Sequence, residues 1–266
     1  MSYVTVGQEN SQPIQIYFED HGSGQPVVLI HGFPLNGHSW ERQEAALLGA
    51  GYRVITYDRR GFGASSKPSS GYDYNTFTDD LKHLLGFSMG SGEVTHYLGK
   101  YGSDRVSKVV LMSAIAPYLL KTEDNPEGVP QSVFDGIMDN IRKDRPAFLS
   151  AFFENFYNVD VLKGTRISDD AVRMSWNVAA GASAAATLAC VPSWLTDFRA
   201  DVAQIKVPTL IVHGDADRVL PIEATGARLP ALIPGSEYVV IKDGPHAIGW
   251  THAEEVNAAL LNFLAK

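Results

Sequence analysis

The pentapeptide Gly86-Phe87-Ser88-Met89-Gly90 places a serine between two glycines in the pattern of a nucleophile elbow. In such an elbow, a tight turn between a strand and a helix holds the serine in a strained backbone conformation. The flanking residues are small because larger side chains would collide with the turn and with the following helix. The turn lifts the hydroxyl of Ser88 clear of the sheet and directs the backbone N–H of Met89 at the reacting atom. The pattern therefore predicts a nucleophilic serine at position 88.

Short runs rich in β-branched residues alternate with glycine-rich turns and helical patterns along most of the chain, which predicts a parallel α/β sheet. These runs are residues 27–30, 54–57, 109–112, 210–213 and 238–241. They are largely apolar rather than alternating, as expected for strands that helices cover on both faces. Residues 3–6 and 14–18 predict an antiparallel hairpin that enters the same sheet.

Between Pro117 and about Val202 the strand-like runs stop and helical spacing takes over. We therefore predict a core of residues 1–117 and 203–266, with a helical cap of residues 118–202 inserted between its two parts. Aromatic residues in this insert follow helical spacing, which is typical of a packed core and also of a pocket wall. They are Phe148, Phe152, Phe156 and Tyr157, with Trp176 and Trp194 sharing the same two interpretations.

Charge and composition exclude several classes of partner. The formal net charge of −8 argues against nucleic acid and anionic membrane surfaces, because both attract basic patches. Cys190 is the only cysteine and cannot form an intramolecular disulfide. The first residues lack the basic and apolar pattern of a signal peptide, and no apolar run approaches membrane-spanning length. We expect a cytoplasmic protein.

A serine nucleophile needs a base, and the base needs a carboxylate that fixes its tautomer. In this architecture the acid and the base follow late strands, in the chain order Ser, Asp, His. His246 follows the run 238–241 and is the predicted base. Asp217 and Asp215 both follow the run 210–213; Asp217 is preferred as the acid, and Asp215 is the rival or a turn-capping residue.

The turn after the run 27–30 is placed to supply a second oxyanion donor, the backbone N–H of Phe33, beside that of Met89. Pro34 has no N–H to donate, and its ring stiffens the loop directly after Phe33. The imidazole of His31 is expected to hold this loop rather than to take part in the reaction. The other histidines show no metal-ligand spacing and are interpreted as structural or surface residues: His38, His83, His96, His213 and His252.

Taken together, these motifs resemble those of bacterial cofactor-free haloperoxidases, esterases and γ-lactamases of the α/β-hydrolase superfamily. The resemblance runs nearly end to end and includes segments 31–35 (HGFPL), 39–43 (SWERQ), 57–63 (YDRRGFG), 86–90, 124–130 (DNPEGVP), 213–221 and 245–252.

This resemblance implies an α/β-hydrolase fold, an acyl-serine mechanism and no haem, metal or flavin cofactor. The substrates it implies are small acyl compounds such as esters or lactams. Hydrogen peroxide would replace water in a perhydrolase reaction, and the peracid product would oxidise halide. An assembly of identical subunits is common for such enzymes. A pocket formed by Phe33, Ile115, Trp194 and Trp250 is expected, and the pair Phe33-Pro34 resembles members with better peroxide use.

The chain departs from this family pattern directly before the elbow, where about eleven residues are missing and residues 79–85 run straight into Gly86. Either residues 81–87 form the elbow strand, or the helix persists, the central sheet has a gap and Ser88 is misplaced. A third alternative is that the natural chain carries residues that this sequence lacks. The rival to an active enzyme is therefore a catalytically impaired protein with the same fold. An elbow aspartate, as in related epoxide hydrolases and dehalogenases, is replaced here by Ser88.

Overall fold

The structure is a computed structural model that describes residues 2–80 and 86–266, and within those residues eight strands form one sheet. The strands are β1 (Ser2–Glu9), β2 (Gln12–His21), β3 (Pro26–Ile30), β4 (Arg53–Tyr57), β5 (Gly86–Phe87), β6 (Val109–Met112), β7 (Thr209–Gly214) and β8 (Glu237–Ile241). Their order across the sheet is β1-β2-β4-β3-β5-β6-β7-β8. The predicted α/β-hydrolase architecture is confirmed.

The sheet is antiparallel at one edge and parallel elsewhere. The hairpin of β1 and β2 joins the edge of β4 in antiparallel register. From β4 through β8, every neighbouring pair is parallel. All parallel strands therefore end at the same edge of the sheet, which is where loops carrying functional side chains meet in open α/β folds.

Helices cover both faces of the sheet. They are α1 (Glu41–Gly49), α2 (Tyr74–Asp79), α3 (Met89–Tyr101), α4 (Gln131–Tyr157), α5 (Val159–Leu162), α6 (Asp169–Ala180), α7 (Ala184–Ser193), α8 (Arg199–Val202), α9 (Leu229–Leu232), α10 (Ile248–Thr251) and α11 (Ala253–Leu264). Short 3₁₀ turns occupy Gly37–Trp40, Ile222–Ala224 and Gly226–Arg228.

Alternate residues of the central strands enter two separate cores because successive side chains of a strand point to opposite faces. In β3, Val28 and Ile30 pack in a cluster that includes residues of α3. Val27 and Leu29 pack in the other cluster with residues of α1 and α11. Burial on both sides explains why the sequence of this strand is a continuous apolar run.

The elbow strand β5 is hydrogen-bonded on both sides, so the sheet is continuous across it. Gly86 pairs with Ile30 of β3 and with Leu111 of β6, and Phe87 pairs with Met112. The alternative of a gap in the central sheet is therefore wrong, although helix α2 does persist. The alternative strand over 81–87 lies partly outside the described residues, as does His83.

Helices α4 to α8 all lie between β6 and β7 in the chain, where the sequence predicts an inserted helical segment. The longest of them, α4, is bent at Asp144, whose φ and ψ of −159° and 88° are not helical. Pro146 has no N–H for a helical hydrogen bond, and the carboxylate of Asp144 accepts the N–H of Ala147 at 3.0 Å. The bend therefore starts a second, newly capped helical stretch.

Within residues 2–80 and 86–266, no single helix is long and apolar enough to cross a membrane. Helices α6 and α7, which are bent by 95° relative to each other, meet those criteria only as a pair.

Candidate active site

Ser88 occupies the sharp turn between β5 and α3. Its φ of 54° and ψ of −122° are strained for a residue with a side chain, and its N–H donates to the carbonyl of Met112 at 2.9 Å. A Cβ at Gly86 would lie 2.3 Å from the carbonyl oxygen of Gly90, and a Cβ at Gly90 would lie 2.4 Å from that of Ile30. Both glycines are needed because backbones pass too closely there for any side chain.

The structure brings Ser88, His246 and Asp217 into one chain of hydrogen bonds. Nε2 of His246 lies 2.8 Å from Oγ of Ser88, and its Nδ1 lies 2.7 Å from Oδ2 of Asp217. All three residues are buried. Asp217 follows β7 and His246 follows β8, so the common edge of the parallel strands assembles the three groups from distant parts of the sequence.

The carboxylate of Asp217 is held ionised by its partners. Burial alone would raise the pKa of Asp217, but the contacts with His246 and His213 outweigh burial and hold the pKa below its usual range. The N–H groups of Val219 and Leu220 donate to its Oδ1 at 2.9 and 2.8 Å.

The rival carboxylate, Asp215, has a different neighbour. Its Oδ1 accepts the N–H of Asp243 at 2.6 Å, in the turn that leads from β8 towards the histidine. This contact is the turn-capping arrangement that the sequence left open for Asp215.

The loop after β3 lies against the elbow and presents the N–H of Phe33. Among the described residues this N–H donates no backbone hydrogen bond, and the N–H of Met89 is in the first turn of α3, where helical partners are lacking. Phe33, Met89 and Ser88 line the same cavity. Nδ1 of His31 lies 2.9 Å from the carbonyl of Gly32, and its Nε2 accepts the N–H of Arg59 at 3.0 Å.

His31 is neutral because burial, together with the nearby Arg59 cation, lowers its pKa well below the usual value. Its two ring contacts run to the backbone of the loop and of the segment after β4. The expectation that this imidazole holds the loop in place agrees with these contacts.

A buried ion pair connects the loop after β3 to helix α3. The guanidinium of Arg59 contacts the carboxylate of Glu93 in α3 and donates from Nη2 to the carbonyl of His31 at 2.7 Å. The hydroxyl of Tyr57 donates to the other oxygen of Glu93 at 2.6 Å. Because both charged side chains are almost fully buried, each depends on the other for its stability.

Replacing Glu93 with glutamine should lower the free energy of unfolding by about 3–5 kcal/mol, since it leaves the Arg59 cation buried without a counter-charge. Urea unfolding followed by circular dichroism would measure the change. The matched control is Asp20→Asn, which removes the carboxylate from an exposed pair with Arg53 and should have a far smaller effect. Equal losses in the two variants would contradict this account.

An apolar cavity of about 280 Å³ opens above Ser88. Three of the four predicted pocket residues line it, namely Phe33, Ile115 and Trp194. The further apolar lining is Met89, Leu119, Val129, Val133, Phe134, Ile137, Phe148, Ala151, Phe152, Val219 and Leu220.

The prediction for Trp250 is wrong. Trp250 lines a separate, smaller cavity on the other side of Phe87 and Phe156, whose rings both pack against His246. Helix α10 starts two residues after His246 and carries the indole towards α1, where the guanidinium of Arg42 lies 4.7 Å from its ring centre.

The aromatic side chains of α4 include both kinds that the sequence allowed, those of a pocket wall and those of a packed core. Phe148 and Phe152 line the cavity above Ser88. Phe156 and Tyr157, one turn later, are buried in the core. Trp194 lines the cavity, and the ring nitrogen of Trp176 instead donates to the carbonyl of Pro146 at 3.3 Å.

Three polar residues of the cavity wall were not identified from the sequence: Asn140, Asn155 and Arg218. Asn155 follows Phe148 by seven residues and Phe152 by three. This helical spacing places Asn155 on the same face as the two phenylalanines and could have identified it from the sequence. Arg218 forms an ion pair with Asp160 at 2.7 Å. In the part of the chain that the structure describes, no group of three or more His, Cys, Asp or Glu side chains is arranged to hold a metal ion.

Known proteins resemble this chain over its whole length. A family model for the alpha/beta hydrolase fold matches residues 25–253. A candidate non-heme chloroperoxidase of Synechocystis sp. is 68% identical over 275 aligned positions, covering 99% of this chain and 100% of that protein. A bifunctional esterase/perhydrolase of Acinetobacter calcoaceticus is 33% identical over 99% of both chains. The crystal structure of a bromoperoxidase from Bacillus anthracis, 46% identical, matches with a TM-score of 0.94 over 100% of this chain and 99% of that one.

The first of these alignments also bears on the length of the chain. Because it runs over 275 positions and this chain has 266 residues, at least nine aligned positions hold no residue of this chain. At those positions the relative has residues that the present sequence lacks.

The match to the family model, the identity to the relatives and the shared fold together establish the family. The chain belongs to the α/β-hydrolase family and is an enzyme of its non-heme haloperoxidase and esterase type.

Proposed function

We propose that the protein hydrolyses small esters, and lactams of similar size, through an acyl-serine intermediate, with Ser88 as nucleophile, His246 as base and Asp217 as the orienting acid. The observation that carries this proposal is the unbroken contact from Oγ of Ser88 through the imidazole to the carboxylate, at 2.8 and 2.7 Å. The apolar cavity above Ser88 suits an acyl group of small or medium size.

The reaction proceeds in two halves. Oγ of Ser88 attacks the acyl carbon while Nε2 of His246 takes its proton, and the N–H groups of Phe33 and Met89 stabilise the developing oxyanion. The leaving alcohol or amine then receives that proton from His246. In the second half, the oxygen of a water molecule attacks the acyl carbon while His246 takes a proton from that water. His246 then returns the proton to Oγ of Ser88 as the acyl group leaves.

Hydrogen peroxide in place of water makes the same second half yield a peracid. The name of the Acinetobacter calcoaceticus relative, a bifunctional esterase/perhydrolase, supports this activity. The peracid then transfers an oxygen atom to a halide ion away from the protein, giving hypohalous acid and the carboxylate. No step of this reaction needs a cofactor. The inserted helices of residues 118–202 act as the cap that forms most of the acyl pocket.

Labelling with a fluorophosphonate tests the acyl-serine proposal against the rival of an impaired enzyme. The probe should phosphonylate Oγ of Ser88 with loss of fluoride, and intact mass should show one adduct that Ser88→Ala abolishes. A folded wild-type sample without an adduct would contradict the proposal and favour the impaired enzyme. The unlabelled mass also shows whether the natural chain has 266 residues or is longer.

A further inference from the structure

The carboxylate of Asp217 faces two imidazoles rather than one. Its Oδ2 lies 2.7 Å from Nδ1 of His246 and also 3.2 Å from Nε2 of His213, the penultimate residue of β7. Both histidines are completely buried. A serine, a base and an acid suffice for acyl transfer, so the reaction proposed above leaves the second imidazole without an assigned role.

The neighbours of His213 fix its tautomer. Nε2 also lies 3.0 Å from the carbonyl oxygen of Leu220, and because both of its neighbours are acceptors, this nitrogen carries the proton. Nδ1 has no hydrogen-bond partner among residues 2–80 and 86–266. A Cβ at Gly226 would lie 2.3 Å from Nδ1, so backbone closes off that side of the ring. A second proton would find no acceptor there.

His213 therefore donates from Nε2 to the carbonyl of Leu220 at one end of the acid loop, and the same nitrogen lies 3.2 Å from the carboxylate of Asp217 at the other end. The side-chain oxygen of Asp217 marks the start of that loop and the carbonyl of Leu220 marks its end. A donor that comes from the rigid strand β7 ties the loop to the sheet and fixes the rotation of the carboxylate. Comparable contacts orient the histidines and carboxylates that bind metal ions.

We propose that His213 is a positioning residue for the acyl transfer assigned above to Ser88, His246 and Asp217, an inference that rests on that proposed function. It holds the carboxylate of Asp217 in line with His246 and takes a share of its negative charge. His213 does not line the cavity above Ser88, so it acts on the reaction only through Asp217.

Loss of this donor should change the pH dependence of the reaction in one direction. Without His213, the charge of Asp217 is shared less and interacts more strongly with the positive charge that His246 carries during the reaction. The acid limb of kcat/KM should then move to higher pH. The other charged groups near this loop are engaged elsewhere, since Arg218 pairs with Asp160 and Asp215 accepts the N–H of Asp243.

The experiment compares wild type with His213→Leu and His213→Gln, using a p-nitrophenyl ester from pH 5 to 9 and rates normalised to the sites that a fluorophosphonate titrates. Leucine removes the donor, and the amide of glutamine restores it near Nε2. We expect His213→Leu to lose about 10–100-fold in kcat with little change in KM, a loss of the size seen when the partners of metal-binding histidines are removed. Its acid limb should move upward, and glutamine should restore both properties.

A third variant covers the case in which His213→Leu does not fold. Gly226→Ala keeps the imidazole but places a methyl group against Nδ1, which must displace the ring, and it should shift the acid limb in the same direction. An unchanged acid limb in a folded His213→Leu or Gly226→Ala variant would overturn the inference. So would a glutamine variant as impaired as the leucine variant. Failure of the wild type to label at Ser88 would instead refute the proposed function itself.

Discussion

Replacing Ser88 with alanine should lower kcat for ester hydrolysis about 10⁶-fold, since loss of the nucleophile alone costs nearly as much as loss of the whole catalytic group. The residual rate over water, about 10³–10⁴-fold, would come from the two oxyanion donors and from binding. KM should change little, because the alanine side chain leaves the apolar wall of the cavity intact. Steady-state kinetics with p-nitrophenyl butyrate would measure both parameters.

The matched control for this variant is Ser107→Ala. Ser107 is exposed and precedes β6, whereas Ser88 is hydrogen-bonded to the last residue of that strand, so the two serines lie at opposite ends of it. The control should keep the wild-type rate. A Ser88→Ala variant of nearly wild-type activity, free of contaminating esterase, would refute the nucleophilic role of Ser88.

Replacing Asp217 with asparagine should lower kcat about 10⁴-fold, because the amide can hold His246 in the wrong tautomer and cannot stabilise its protonated form. Asp215→Asn is the matched variant in the same loop. Its side-chain oxygen can still accept the N–H of Asp243, so its rate should stay close to that of wild type.

The pair of variants separates the two acids that the sequence offered. The same ester assay, with thermal melting to verify folding, would compare them directly. A large loss in Asp215→Asn with a small loss in Asp217→Asn would reverse the assignment. Equal, moderate losses would mean that the loop matters only for stability.

The central fold was predictable from the sequence because burial on both faces leaves a strong local pattern. The apolar runs became the parallel strands, and the first two runs became the antiparallel hairpin. The alternative of a gap beside the elbow was wrong for a physical reason. Gly86 and Phe87 join their neighbours through backbone groups, and backbone pairing does not require an apolar run before them.

The candidate site was predictable where chain order and strand ends determine it, and uncertain where loop conformation decides. Ser88 and His246 come together as expected, whereas the choice between Asp215 and Asp217 depends on two residues within one turn. Spacing cannot show that α10 turns Trp250 away from the cavity. Nor can it show that His213, the second imidazole on Asp217, reaches back to the acid loop.

The stretch of α4 after its bend carries side chains under two different constraints. After Asp144, Phe148, Ala151 and Phe152 line the cavity above Ser88. One turn later, Phe156 packs against the ring of His246. Substitutions at the first three positions can therefore change the range of substrates. Phe156 is less free to change, because its ring contacts His246. A library confined to positions 148, 151 and 152 would alter acyl selectivity with the base left in its setting, and this helix is the natural place to begin engineering the enzyme.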